Sequence, residues 1–487
     1  MDLTVLHLAV PQISADLQPS SSQLLWIIDI YGFFVAGSLI TMGNLGDKIG
    51  RRRLLLIGGI CFAATSVLAA FSTSAEMLIV ARALLGVSGA TLAPSTLSLI
   101  RNMFHDQNQR VVAIGVWISA FSVGAAIGPL VGGVLLEYFW WGSVFLIAVP
   151  VMAILLILGP TLLPEFKDPK ARRLDPVSAA LSLAAILSVI YGIKQFAQDG
   201  LEFQTILFVV VGVVLGVVFL QRQRTLTYPL IDLRLFRIPA FSMSLVTFLV
   251  GVFMAFGVFL FISQYLQLVL GLSPLEAGLW MLPWALAFVA GSQLAPVIIR
   301  RLRPGTVIAG GLVLSAIGFG LLIQIDEETP FALLITGFVI SSLGLAPVFT
   351  LATELVIGSA PPERAGSASA ISETTAELGG ALGIAVFGSI GTAIYRNELA
   401  SAVPASIPRD ILEGARDTLG AAVQISKQLP VDLGSLLLSA ARDAFLQGMH
   451  LSIFISVVLA VVTAVLVVVA LRNVQGSYQP EVEKNKS

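Results

Sequence analysis

Gly43-Asn44-Leu45-Gly46-Asp47-Lys48-Ile49-Gly50-Arg51-Arg52-Arg53 is a short, basic, glycine-rich break between two apolar runs, residues 22–43 and 53–71. Each run is close to the ~20 residues that a helix needs to cross ~30 Å of hydrocarbon. The break is too short to link domains, so it joins two helices at one membrane face. Its glycines allow a tight turn, and Asp47 can meet the N-terminal dipole of the next helix or an arginine. A charge latch built from Gly43, Gly46, Asp47, Gly50 and Arg51 would hold helices together in one conformation and release them in another.

The pattern repeats outward from this break. Of 487 residues, 56% are hydrophobic and only 12% charged, too few charges for a soluble surface of this size. Runs of ~20 residues, rather than ~10-residue alternations, select helices over a β-barrel. One partial segment, 1–14, precedes thirteen full ones: 22–43, 53–71, 76–100, 109–136, 143–163, 177–197, 204–221, 240–269, 275–299, 305–325, 330–357, 366–395 and 447–471. The apolar stretch from Met1 to Val10 is half a span, which reads as the later part of a full first helix. Asp2 and His7 would otherwise have no reason to open an apolar segment.

Every second break is basic. Lys48 to Arg53, Arg101 with Arg110, Lys167 to Arg173, Arg222 to Arg237, and Arg300 to Arg303 alternate with breaks that carry acids instead, such as Asp326-Glu327-Glu328. The positive-inside rule puts the basic breaks and the tail from Arg472 in the cytoplasm. A miscounted segment would invert the alternation partway along, and it does not invert. Residues 396–446 stand apart as a long external loop with amphipathic stretches around 409–426 and 433–446, readable as a lid or as a folded appendage. The net charge of −1 and the scattered histidines offer nothing to nucleic acid or a metal, and Cys61 is the single cysteine. No nucleotide-binding glycine loop is present, so neither a cofactor nor an ATP-driven step is expected, and no catalytic residue is assigned.

Charged residues inside the spans are the informative ones, because each costs at least ~2.5 kcal/mol in hydrocarbon unless it has a partner or water. Asp29 lies among Trp26, Ile27, Ile28, Ile30 and Phe33; there the neutral form of a carboxyl is favoured, so it can hold a proton until a cation arrives. Trp26, three residues earlier, would offer a cation–π surface beside it. Glu373 and Glu377 are four apart, hence on one helix face, where both cannot ionise cheaply. Arg82 sits a few residues into its span and needs a partner or must snorkel. Glu354 is expected at the interface. Gly124, Gly128 and Gly132 recur every four residues beside Pro129 and Gly133, which permits close helix packing and a bend. Trp140 and Trp141 suit an aromatic belt, and Trp280 and Trp284 face either lipid or a cavity.

The first motif resembles the cytoplasmic loop signature of the major facilitator superfamily. Arg82-x-x-x-Gly86 resembles its intramembrane arginine motif, and Gly124 to Gly133 its antiporter signature. Leu25 to Tyr31, Pro229 to Phe236 and Pro361 to Gly366 are similar to the 14-helix drug:proton antiporters, most of all QacA/SmvA-type exporters of quaternary ammonium compounds. The resemblance covers essentially the whole chain.

It implies an all-α polytopic membrane protein of the major facilitator fold, with two six-helix bundles, two inserted helices and a first helix that is partial here. The corresponding ranges are 1–163 for the N-terminal bundle, 164–238 for the inserted pair, 239–471 for the C-terminal bundle and 472–487 for a cytoplasmic tail. Asp2 matches the family's first-helix aspartate. Asp2, Asp29, Glu373, Glu377 and Trp26 are then expected to bind substrate and protons, and Arg82 to couple them. The expected protein is a monomer of the bacterial inner membrane, touching lipid, protons and lipophilic cationic drugs but no nucleic acid. It would export mono- and divalent cations against protons by alternating access. An exporter of an endogenous metabolite and a non-transporting sensor or scaffold are the alternatives; buried acids argue against anionic cargo, and a scaffold needs none.

Overall fold

A computed structural model describes residues 5–6, 9, 12–13, 16–19, 21–167, 175–199, 202–226, 229–327, 329–361, 364–402, 409–416 and 418–472. Among these the ordered elements are helices. In chain order they are α1 (Ser21–Ile49), α2 (Arg51–Ala70), α3 (Ala75–Gly89), α4 (Leu92–Met103), α5 (Gln107–Tyr138), α6 (Ser143–Leu146), α7 (Ala148–Leu162), α8 (Pro176–Asp199) and α9 (Phe203–Thr225). A 3-10 turn, Leu235–Arg237, leads to α10 (Pro239–Gln264), a π-helical turn (Tyr265–Val269), α11 (Pro274–Ile298), α12 (Pro304–Leu322), α13 (Phe331–Gly358) and α14 (Ala365–Ala402). Two short helices, α15 (Arg409–Ala415) and α16 (Leu419–Ser426), precede α17 (Val431–Ala470).

Eleven spans among the described residues are long and apolar enough to cross a membrane, with α3–α4 and α6–α7 each counted as one. At 29 and 32 residues, α1 and α5 have the length as well. The helix starts obey local rules. Asp106 caps α5 by accepting from the Gln109 N–H, Ser74 caps α3, and Ser273 with Glu276 forms a capping box on α11. Pro239 and Pro304 occupy the first positions of α10 and α12, where a missing N–H costs nothing.

Helices α1 to α7 form one bundle and α10 to α14 with α17 the other; α8 and α9 pack on each other, and α8 lies against α1 and α14. The described residues of the opening segment belong to the first bundle. Val5, Leu6, Ala9 and Ile13 are buried in its core, while Gln12 donates to the Leu136 carbonyl at 3.0 Å and Trp141 to Asp16 at 2.9 Å. Trp141, expected in an interfacial belt, is therefore buried at 4% exposure because its N–H has an internal partner.

The stretch 396–446 is not one long loop. Helix α14 continues to Ala402, and α17 starts at Val431, so the amphipathic stretch 433–446 is its first third. That third stays helical because Leu437, Ala441 and Ala444 bury against the second bundle, while Asp432 is exposed and the half-buried Arg442 pairs with Glu327 at 3.6 Å. Helices α15 and α16 pack beside it, with the Tyr395 hydroxyl donating to the Ala415 carbonyl at 2.8 Å. The described part of the stretch is a folded appendage of the second bundle rather than a cover between bundles.

The inserted hairpin is tied at its basic end. Arg222 donates to Asp175 at 2.8 Å and Ser178 donates to the same carboxylate at 2.7 Å, which holds the Asp175 carboxyl down to about 2 from its ordinary 3.8. A depressed value means this contribution to stability is present above the ordinary carboxylate range and is lost as pH falls from about 4 to about 2. Solvent screens the pair, so Asp175→Asn should lower the thermal midpoint by only ~1–2 °C at pH 7. Melts of both proteins from pH 7 to pH 2 should show the gap closing below pH 4; a pH-independent gap would refute the assignment.

Candidate functional site

The glycine-rich break is shorter than the sequence suggests: α1 runs through Gly43, Gly46 and Asp47 to Ile49 and α2 starts at Arg51, so Gly50 alone makes the turn. Arg51 forms an ion pair with Asp47 one turn earlier and donates to the Gly43 carbonyl at 2.7 Å. Its guanidinium lies against Gly366 at the start of α14, in the other bundle. A Cβ at Gly43 would stand 2.6 Å from the Gly366 carbonyl oxygen, and one at Gly46 would stand 2.5 Å from the Arg51 guanidinium. Gly50 has φ +111°, a conformation that favours glycine, and a side chain there would meet the Glu165 carboxylate. Glu165 accepts from the Arg52 and Arg53 N–H groups at 3.1 Å each, capping α2. These contacts thus involve both bundles: α1 supplies the glycines, α2 the arginine and α14 the surface it covers.

Two further contacts join the bundles along α5, one near the same basic end and one deeper. Arg110, in the first turn of α5, donates to Glu354 of α13 at 2.6 Å, and the two side chains are 9% and 2% exposed. Glu354 is therefore not interfacial, as expected, but a buried partner across the bundle boundary; the opposite charge makes its burial tolerable. Midway into α5, the Ser119 hydroxyl lies 2.7 Å from that of Ser292 on α11 and accepts from Gln293 at 3.1 Å. A Cβ at Gly115 would stand 2.9 Å from the Ser292 carbonyl, so small residues allow this crossing.

The Gly124–Gly133 run on α5 makes close packing at Gly132, within the first bundle. Gly128 and Gly132 are buried, and Gly132 packs against Val5 inside the first bundle, whereas Gly133 is exposed and open. Gly124 is half-buried, and α5 is one unbroken helix. The close approach between bundles along α5 falls at Gly115 and Ser119, one to two turns earlier. The side chain of Pro129 lies outside the described residues.

Glu373 and Glu377 are half-buried on α14. They lie seven and eleven residues past Gly366, so with Ala370 they continue the helix face that meets α1 at Gly43. At ~1.5 Å per residue they stand ~10 and ~16 Å from that contact along the axis. The α1 turn that carries Asp29 is 14 residues from Gly43, ~21 Å along its axis, hence ~5 Å beyond Glu377. The Asp29 side chain, and Asp2 altogether, lie outside the described residues.

Arg82 is fully buried on α3 and reaches the same α1 turn. It donates to the Ile28 carbonyl at 3.3 Å and lies over the rings of Tyr31 and Phe145, at 5.4 and 5.9 Å. Gly86 makes this approach possible, since a Cβ there would stand 2.5 Å from the Tyr31 carbonyl. Trp26 turns toward the inserted hairpin: its ring stacks on Tyr191 of α8 at 5.9 Å and meets Phe33 edge-on at 6.0 Å. It is a joint between α1 and α8 with one exposed edge, rather than a free-standing wall. Trp280 and Trp284 pack within the second bundle against Phe331 and Phe288, and Trp284 lines a small apolar cavity with Met281, Phe319 and Phe338.

Two helical bundles thus meet at glycine contacts and a buried ion pair, with two acids on the α14 face that meets α1. The sequence profile of the Major Facilitator Superfamily matches residues 1–384, and the chain belongs to that family. It is 43% identical over 473 residues to the multidrug efflux pump LfrA of Mycolicibacterium smegmatis, covering 97% of this chain and 94% of the relative. The methyl viologen resistance protein SmvA of Salmonella typhimurium is 38% identical over 454 residues, 92% of this chain and 90% of that one. Among solved structures, the human organic anion transporter MFSD10 superposes with a TM-score of 0.57 at 17% identity, covering 93% of this chain and 88% of that one, a likeness of fold alone.

Proposed function

We propose that the protein is a proton-coupled exporter of lipophilic cations, working by alternating access in a bacterial inner membrane. The observation that carries the reading is the acid pair on the seam, Glu373 and Glu377, on the α14 face that meets α1. Two carboxylates one turn apart in hydrocarbon hold at least one proton between them, and an arriving cation displaces it. The names of LfrA and SmvA, a drug pump and a resistance protein for an aromatic dication, support cationic cargo.

The arginine-rich ends of the helices face the cytoplasm by the positive-inside rule, and the C-terminus with them. The latch at Arg51, the Arg110–Glu354 pair and the Ser119–Ser292 contact then hold the form closed to the cytoplasm. Asp2, Asp29, Trp26 and Arg82 supply the outer part of the same path, with Arg82 setting the charge of the α1 turn at Asp29. Protons entering from outside expel the cation, and the membrane potential adds ~2.3 kcal/mol per net charge per 100 mV. A monomer suffices.

Adding ethidium to purified protein in weakly buffered detergent should release protons. Glu373→Gln should release roughly one proton fewer per chain, and Asp29→Asn should disable export as well. Wild-type protein that binds ethidium without releasing protons would overturn the coupling.

A further inference from the structure

The linker between the inserted hairpin and the second bundle makes a connection that the transport reading does not use. The backbone of Leu230 is engaged from three sides. Its N–H donates to Gln223 of α9 at 2.7 Å, and its carbonyl accepts from Asn44 of α1 at 2.9 Å and from Ser367 of α14 at 3.0 Å. The backbone of one residue therefore joins the first bundle, the second bundle and the hairpin.

The connection continues without a gap in donor direction. Gln223 donates to Ser178 at 2.9 Å, and Ser178 donates to Asp175, which Arg222 also holds. Ser178, Gln223, Leu230 and Ser367 are all at most 5% exposed, so these bonds are shielded from water. Two residues on, Asp232 accepts from Arg364 at 3.0 Å, a second tie to the start of α14. Around them Leu230, Ile231 and Leu235 fill an apolar cluster with Ile40 of α1, Phe219 of α9, Phe241 of α10 and Ile371 of α14.

We propose that residues 229–235 act as a strap, anchored by the hairpin, that holds the bundles together at their basic ends and must release Asn44 or Ser367 for that end to open. Both donors converge on one carbonyl, and they come from helices of opposite bundles. Separating the bundles therefore breaks at least one of these bonds in a buried site. The inserted pair thereby gains a mechanical role: through Gln223 it anchors the Leu230 N–H, one peptide unit before the carbonyl that both bundles grip. Asn44, Ser367 and Gln223 are positioning residues for the conformational cycle.

The proposal rests on the alternating-access reading, and one experiment separates the two. Spin labels are placed at Met103→Cys and Leu302→Cys, exposed positions at the basic ends of the two bundles, in a Cys61→Ser background. Their distance distribution is then measured with and without ethidium, at high and low pH. In the otherwise wild-type protein two populations are expected. Asn44→Ala with Ser367→Ala should raise the wide-separation population about tenfold relative to the narrow one, the effect of two neutral hydrogen bonds. Gln223→Ala should move it the same way. A bimodal distribution that ignores the strap variants would overturn the strap alone. A single fixed distance under every condition would overturn alternating access itself.

Discussion

Glu354→Ala should shift the balance between the two bundle arrangements toward the one open at the basic end by roughly 10²–10³-fold, without unfolding the protein. Removing one partner of a buried ion pair costs about 3–5 kcal/mol, because the remaining charge is left uncompensated. Here the remaining charge is Arg110, 9% exposed while the bundles touch. Separation of the bundles returns it to water, so the penalty falls on the closed arrangement and not on either bundle. The labels at positions 103 and 302 read the shift directly. Arg110→Met with Glu354→Met should recover most of the closed population, since two apolar chains of similar size replace a pair that is itself close to break-even. Closed populations unchanged by the single substitution would show that the pair does not bear on closure.

The second large effect is expected at Gly366. A side chain there would occupy the space of the Arg51 guanidinium, and the backbone beneath it already touches Gly43. Overpacking of this kind costs ~1–3 kcal/mol, which corresponds to about a tenfold to hundredfold loss of the closed arrangement. Resistance of cells expressing Gly366→Leu should fall accordingly, and the same labels should report the open form. The cause is tested by a cycle: Gly366→Ala in an Arg51→Ala background should add little, because the obstructing side chain is gone. Additive effects of the two substitutions would mean that the guanidinium is not what the glycine accommodates.

Both effects concern residues whose meaning the sequence carried unequally. The glycines of the first break, with Asp47 and Arg51, read as a latch from spacing alone, because tight turns and one-turn ion pairs are local. Run lengths and alternating loop charge placed the helices for the same reason: crossing hydrocarbon is a local constraint on about 20 residues. Glu354 looked interfacial because its partner is 244 positions away, and only the packing of α5 against α13 brings Arg110 to it. Its one signal was symmetry of position, an acid and a base each about a turn inside the basic end of a span. Trp26 was placed correctly on its helix, but its direction depended on α8, which no periodicity in α1 reveals. The start of α17 was missed because charged residues in its first third resemble a loop until the appendage is seen to cover their apolar neighbours.

The inserted hairpin also alters what the bilayer meets. Two bundles have two flanks where they join, along α1 and α14 and along α5 and α11. Among the described residues, α8, backed by α9, packs on the first flank and not on the second. Movement along the padded flank displaces protein, whereas movement along the bare one displaces acyl chains. The lateral pressure of the membrane therefore bears on this molecule unevenly, and lipid thickness or tension acts on its motion through one side.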